Sequence, residues 1–220
     1  MQPANDPNID YRHLVQHSYN ACAAAYDQAR QRDTEPELTR LTQHLHPGAS
    51  VLDLGCGAGV PVARTLAHHF AVTGVDISEE QLRRAQQHVP SATFIRGDML
   101  TIAFPPSHFD AVVAFYSIFH TPREEHAHLF QRIHQWLKPR GYLLATLAVH
   151  AEAAYTEDDF FGVTMYWSNY GIAEYRTLLE QAGFEVLATT MLGHGYNDAG
   201  MASRAASAAA CTKSVSAFRV

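Results

Sequence analysis

The sequence predicts a doubly wound α/β fold built on a mostly parallel sheet. From residue 50 onward, short β-rich runs alternate with helical runs, which is the order of elements in β-α units. The run 110–115 is apolar after its first residue, as in strands that are covered on both faces. A glycine-rich turn, Gly55–Gly59, follows the first β-rich run directly, where a strand would give way to a helix.

Two helical segments precede the first strand. Interleaved aromatic and small residues predict helices over residues 11–30 and 35–45, and Pro47-Gly48 marks the turn after them. We expect residues 1–46 to form an N-terminal helical cap on a core of residues 47–220, within one domain. A chain of 220 residues, 47% of them hydrophobic, has the size of one such domain.

The remaining elements are placed by their periodicity and by helix start and stop signals. The predicted strands cover residues 50–54, 71–75, 92–96, 110–115, 142–149, 184–192 and 214–220. The predicted helices cover residues 61–69, 78–88 and 172–182, with one more between Thr121 and Pro139. Capping boxes at Ser78–Gln81 and Thr121–Glu124 begin two of them. Residues 150–170 are interpreted as an irregular aromatic connection, and the Ala/Ser-rich residues 194–212 as a flexible segment.

Composition and charge exclude several classes of partner. The chain has 16 Lys and Arg against 22 Asp and Glu, a net charge of −6, and no basic run, so we expect no binding to nucleic acid. No stretch approaches eighteen apolar residues, so we expect no membrane association. Three widely spaced cysteines indicate neither a disulfide framework nor a zinc site and favour the cytoplasm. We therefore expect the partner to be a small molecule. We also expect no metal site, and a chain that is a monomer or a homodimer.

The glycine-rich turn predicts a nucleotide site. Glycines 55, 57 and 59 tolerate positive φ and let the backbone approach a ligand closely. Dinucleotide-binding turns have G-x-G-x-x-G, whereas here the third glycine comes one residue early. Asp53 stands two residues before the first glycine, where it would repel a phosphate and attract an ammonium group. S-adenosyl-L-methionine carries an ammonium group and no phosphate.

Acidic residues end the next two predicted strands. In a doubly wound sheet, Asp76 lies at the same edge as the glycine turn and is placed to accept both ribose hydroxyls. Gly97-Asp98-Met99 repeats the arrangement, so Asp98 could accept a hydrogen bond from the adenine amino group. Ile77 and Met99 could enclose the adenine ring.

These residues resemble the class I methyltransferases, with Val51–Gly59, Val75–Ile77 and Gly97–Met99 similar to three successive motifs. The resemblance covers roughly residues 45–193. It implies a seven-stranded sheet in the order 3-2-1-4-5-7-6 with the last strand antiparallel, and S-adenosyl-L-methionine as cofactor with S-adenosyl-L-homocysteine as product. The cofactor-binding residues it implies are Asp53, Gly55, Cys56, Gly57, Gly59, Asp76, Ile77, Gly97, Asp98, Met99 and Phe115.

The predicted catalytic residues follow the fourth core strand. His120 and Tyr116 fall at the sheet edge where ligands of open α/β folds bind, and a histidine is the natural proton acceptor near neutral pH. His120 could equally serve only local hydrogen bonding. Aromatic residues of this loop, of the 160–170 stretch and of the first helix predict an acceptor pocket, although they could equally be core. They are Tyr19, Tyr26, Phe119, Tyr166, Trp167 and Tyr170.

The leading hypothesis is therefore a small-molecule methyltransferase that acts by in-line displacement. A protein or peptide methyltransferase, a non-catalytic module that binds S-adenosylmethionine, and a nicotinamide oxidoreductase remain as alternatives. The sequence names neither the acceptor nor the atom that receives the methyl group, because one fold serves all of these.

Overall fold

The computed structural model describes residues 2–3, 10–30, 36–192 and 213–220, and the following elements lie within those ranges. The strands are β1 (Gln2–Pro3), β2 (Ser50–Leu54), β3 (Ala71–Asp76), β4 (Thr93–Arg96), β5 (Phe109–Ala114), β6 (Leu137–Ala148), β7 (Glu152–Phe160), β8 (Val163–Asn169), β9 (Glu185–Leu192) and β10 (Lys213–Arg219). The helices are α1 (Tyr11–Arg30), α2 (Pro36–Thr42), α3 (Val62–Leu66), α4 (Glu79–His88), α5 (His126–Trp136) and α6 (Ile172–Gln181). Two 3₁₀ turns, Ile118–His120 and Arg123–Glu125, connect β5 to α5.

The central sheet has seven strands in the order β4-β3-β2-β5-β6-β10-β9. Strands β2 to β6 pair in parallel, and β10 pairs antiparallel with both β6 and β9. Numbered within this sheet alone, the order is 3-2-1-4-5-7-6, which confirms the predicted α/β fold. The parallel strands bring their carboxyl ends to one edge, where open α/β sheets bind ligands.

Apolar residues cover both faces of the sheet. Alternating residues of each strand point to opposite faces, so Val51 and Leu52 fall in different core clusters. Helices α1 to α3 contribute to the first cluster, and α5 and α6 to the second. Double coverage explains why β5 is apolar throughout its last four residues.

A second, three-stranded sheet corrects the prediction for residues 150–170. Strands β7 and β8 form an antiparallel hairpin, and β1 pairs with β7. Helix α1 packs against β8, and Ser18 on α1 donates a hydrogen bond to the carbonyl of Thr164 over 2.6 Å. The aromatic stretch is therefore the wall that supports α1, not an irregular connection.

The first of the two predicted capping boxes is present only in part, because the Gln81 side chain has no hydrogen-bond partner in the described part of the chain. Ser78 accepts a hydrogen bond from the backbone N–H of Gln81 at the start of α4. Thr121 instead donates its hydroxyl to the carbonyl of Ile118, and α5 begins only at His126 after the 3₁₀ turn. The second capping box was therefore wrong. The predicted flexible segment, residues 194–212, lies outside the described residues. None of the described helices is long and apolar enough to cross a membrane.

Candidate active site

A cavity opens at the carboxyl edge of the central sheet. Its walls come from the glycine turn after β2, the ends of β3 and β4, the turn after β5 and the inner face of α1. Predicted site residues in its lining are Tyr19, Tyr26, Gly55, Gly57, Asp76, Ile77, Gly97, Asp98, Met99, Phe115, Tyr116 and His120. The fold thus gathers residues from five separate segments of the sequence.

Each of the three glycine positions in the turn has a different structural role. Gly55 has φ +76°, and a Cβ there would stand 2.2 Å from the Cβ of Ser117. Gly57 has φ +53° and donates its N–H to Asp76. Gly59 lies outside the cavity lining, where a Cβ would meet that of Ala85 on α4 at 3.3 Å. The first two shape the cavity, whereas the third allows α4 to pack closely.

Asp76 ends β3 and organises the floor of the cavity. One carboxylate oxygen accepts the Gly57 N–H over 2.9 Å, and the other accepts the Ser78 N–H over 2.8 Å. Burial raises the pKa of Asp76, while these backbone hydrogen bonds act in the opposite direction. Each oxygen keeps a further lone pair, which is what recognition of a diol requires.

Asp53 is a buried carboxylate inside β2. It is 1% exposed, and its Oδ2 has no hydrogen-bond partner among the residues that the structure describes. Burial, together with the charge of Asp76, raises the pKa of Asp53 to about 8. A carboxylate left in this state is suited to receive a cationic group.

Asp98 follows β4 and is already engaged with α1. Its Oδ2 accepts a hydrogen bond from Arg12 over 2.5 Å, and its Oδ1 accepts the Leu100 N–H over 2.9 Å. Arg12 is partly exposed and lines the cavity. This ion pair fastens the first turn of α1 over the cavity, beside Ile77 and Met99.

A second, smaller cavity adjoins the first behind the glycine turn. Both cavities are lined by Tyr26, Gly55, Gly57 and Phe115. Cys56 lines only the second cavity, and burial raises the pKa of its thiol well above the usual range. A protonated, buried thiol is a poor nucleophile, so Cys56 is a wall residue.

His120 and Tyr19 form a hydrogen-bonded pair at the cavity wall. The Nδ1 of His120 lies 2.9 Å from the carbonyl oxygen of Tyr166, which can only accept, so Nδ1 carries the proton. Nε2 is then the basic nitrogen, and the Tyr19 hydroxyl donates to it over 2.8 Å. The structure thus fixes one tautomer of the histidine and aims its basic nitrogen towards the cavity side.

The other predicted aromatic residues divide into three groups. Trp167 packs behind His120 with ring centroids 4.4 Å apart, and Phe119 stacks on Trp167 at 5.3 Å. Tyr166 holds His120 through its carbonyl group and packs its ring on Tyr11. Tyr170 lies outside both cavity linings, against His126, Tyr175 and Arg123. These side chains support the cavity wall rather than form it.

Tyr116 has an unusual backbone conformation. It lies just beyond β5 with φ +56°, in the left-handed region that a bulky residue rarely adopts. It is 7% exposed and lines the cavity. Strain of this kind persists where the surrounding structure fixes a side chain in place.

The sequence predicted only part of the inner face of α1, namely Tyr19 and Tyr26, and missed its first turns. Tyr11, Arg12 and Val15 line the first cavity with Tyr19 and Tyr26. The stripe 11, 15, 19 and 26 has helical spacing, so periodicity could have found it. Asp27, which lines the second cavity, carried no such signal.

Comparison with known proteins agrees with this geometry. The family described as "Methyltransferase domain" matches residues 51–141. The chain is 33% identical over 140 residues to sterol 24-C-methyltransferase ERG6B of Gibberella zeae, covering 60% of this chain and 36% of that protein. It is 30% identical over 172 residues to 27-O-demethylrifamycin SV methyltransferase of Amycolatopsis mediterranei, covering 69% of this chain and 61% of that protein. The chain therefore spans about a third to three fifths of the length of these relatives.

A solved structure has the same fold. Magnesium protoporphyrin IX methyltransferase from Synechocystis PCC 6803, with S-adenosylhomocysteine bound, superposes with a TM-score of 0.67 at 17% identity. The match covers 96% of this chain and 99% of that one. Residues 51–141 are thus a methyltransferase domain, and the chain has the fold of the class I S-adenosyl-L-methionine-dependent methyltransferases. The cofactor of this family fits the residues present, because Asp53 offers an ammonium group a buried oxygen that has no hydrogen-bond partner in the described part of the chain, in a cavity that Gly55 and Gly57 also line.

Proposed function

We propose that this chain transfers a methyl group from S-adenosylmethionine to a small-molecule acceptor that loses a proton in the reaction. One observation carries the proposal: the Tyr19–His120 pair lies at the wall of the same cavity as Asp76 and the glycine turn. The residues that would bind the cofactor and the pair that would accept a proton therefore line the same cavity.

The cofactor would be held by the ends of three neighbouring strands. The glycine turn and Asp53 would take its amino-acid end, Asp76 its ribose hydroxyls, and Asp98 its adenine amino group, with Ile77 and Met99 against the ring. When bound, it supplies a methyl group on a positively charged sulfur, and transfer is an in-line displacement that depends mainly on positioning.

Tyr19 and His120 give the acceptor's proton a place to go. An acceptor hydroxyl could donate its proton to the oxygen of Tyr19, while the Tyr19 proton moves to Nε2 of His120. The resulting imidazolium keeps its Nδ1–H bonded to the carbonyl oxygen of Tyr166. The pair thus acts as one base, with Tyr19 touching the acceptor and His120 storing the proton.

The lining favours an uncharged acceptor with apolar surface. Besides His120, the basic side chain among the described lining residues is Arg12, which already pairs with Asp98. Aromatic rings form much of the remaining wall next to Tyr19, including Tyr11, Tyr26 and Phe115. An acceptor carrying a phosphate or carboxylate would lack a cationic partner there.

The test separates binding from turnover. Tyr19→Phe and His120→Ala should lower methylation of a panel of small phenols, alcohols and amines at least tenfold, with the affinity for S-adenosylhomocysteine changed less than threefold. Tyr142→Phe is the matched control, because Tyr142 stacks on His44 and lines neither cavity. Radiolabelled cofactor measures turnover, and calorimetry measures affinity.

Two results would contradict the proposal. Unchanged turnover in both variants would remove the pair from the mechanism. A wild-type chain that binds S-adenosylmethionine and consumes none across the panel would favour a non-catalytic binding module.

A further inference from the structure

The second cavity lies between α1 and the glycine turn and contains two buried carboxylates. Asp27 of α1 is 4% exposed, and Asp53 of β2 is 1% exposed. Both side chains line the cavity, together with Tyr26 and Gly55. Two acidic groups brought together away from water are costly unless a cation lies between them.

Each of these carboxylates has one oxygen without a hydrogen-bond partner in the described part of the chain. These atoms are Oδ1 of Asp27 and Oδ2 of Asp53. The other oxygen of Asp27 lies 3.5 Å from Arg84 and 3.7 Å from His88, both partly exposed residues of α4. Asp27 is therefore compensated on the α4 side, and its partnerless oxygen remains on the buried side.

The position of the cavity indicates which cation it takes. It shares Tyr26, Gly55, Gly57 and Phe115 with the larger cavity, so one elongated ligand can occupy both. With ribose and adenine held by Asp76 and Asp98, Asp53 and the other residues of the second cavity would hold the amino-acid end of the cofactor. Asp27 and Asp53 there attract the ammonium group of that end and repel its carboxylate, so the ammonium group would face them.

We infer that Asp27 is a second carboxylate for the ammonium group of S-adenosylmethionine, opposite Asp53, so that the cofactor joins α1 to the central sheet. The inference rests on the proposed cofactor site and assigns to it a residue outside the three sequence motifs. Helix α1 is already fastened to the cofactor loops by Arg12 on Asp98 and by Asn20, whose side-chain oxygen accepts from Ser78. The ammonium group, held between Asp27 and Asp53, would add a connection near the C-terminal end of α1.

Calorimetry on the full chain tests this assignment with two ligands. They are S-adenosylhomocysteine and the same molecule without its α-amino group. Asp27→Asn should weaken binding of the first at least tenfold and leave binding of the second within twofold. Glu180→Gln removes the same charge from an exposed position on α6 and should change neither affinity. Arg84→Gln removes a neighbour of Asp27 and should leave both affinities within threefold.

The remaining outcomes overturn the assignment. Equal weakening of both ligands by Asp27→Asn, including failure to fold, would mean that Asp27 only supports α1. A similar loss in Arg84→Gln would lead to the same conclusion. Unchanged affinity for S-adenosylhomocysteine would place the ammonium group elsewhere. A wild-type chain that binds neither ligand would instead overturn the proposed cofactor site, and that result is distinct because it precedes any substitution.

Discussion

Asp53→Asn should stabilise the protein in the absence of cofactor at alkaline pH, although it removes a predicted cofactor ligand. In the folded state the pKa of Asp53 is raised from 3.8 to about 8 by burial and by the charge of Asp76. Between these values the folded protein binds a proton that the unfolded chain does not. Stability due to Asp53 therefore falls as pH rises through this window, and the full cost is present above pH 8.

The magnitude follows from the shift. A rise from 3.8 to about 8 is about four pKa units, and at about 1.36 kcal/mol per unit the ceiling is about 6 kcal/mol. Relaxation and water entry reduce this figure, and the asparagine amide must itself be buried, so we expect a gain of about 2 kcal/mol at pH 9. Below pH 4 the difference should largely vanish, because Asp53 is neutral in both states there.

Urea unfolding of both proteins at pH 6 and pH 9 measures the effect. Asp110→Asn is the matched control, because Lys138 and the Ser50 N–H hold the pKa of Asp110 below its usual value despite partial burial. A lowered pKa contributes stability above the unfolded pKa, so this variant should lose stability at pH 9. If the Asp53→Asn protein is no more stable than wild type at pH 9, the ionised Asp53 carboxylate does not destabilise the folded state.

Two further predictions concern stability. Gly55→Ala places a Cβ 2.2 Å from that of Ser117 at φ +76°, whereas Gly48→Ala has the same φ and nothing within 4 Å. Thermal unfolding should show a loss of about 1–2 kcal/mol for Gly48→Ala and a larger one for Gly55→Ala; equal losses would mean that no clash occurs. Burial lowers the pKa of His126 from 6.5 to about 4, so wild-type stability should fall by about 3 kcal/mol as pH drops through that window. In His126→Asn this dependence should shrink in acid titrations, and an unchanged slope would assign it to other groups.

Local patterns were sufficient for most of the fold. Helix α1 and strand β2 begin and end where the sequence predicts, because one has a helical mixture of small and aromatic residues and the other an apolar run that ends in glycine. The hairpin of β7 and β8 was missed. Its first strand includes Glu157, Asp158 and Asp159, which mask a strand pattern, and its pairing depends on packing against α1.

The same division holds for the site. Alternating glycines and acidic strand ends are short-range features, so the sequence alone identified the glycine turn, Asp76 and Asp98 as neighbours at one sheet edge. The partners of these groups are long-range. Arg12 meets Asp98 across 86 positions, and Tyr19 meets His120 across 101.

Residue patterns within single elements were enough to predict the fold class, and three successive motifs were enough to show the family resemblance, which in turn implied the order of the central sheet. The folded structure was needed to show which nitrogen of His120 carries the proton. It was also needed to show that Asp27 lines the same buried cavity as Asp53. Both results depend on contacts within a few ångströms, because neighbouring atoms determine the tautomer of a histidine and the surroundings of a buried charge. For these residues, that proximity is set by the packing of α1 and β8 over the sheet.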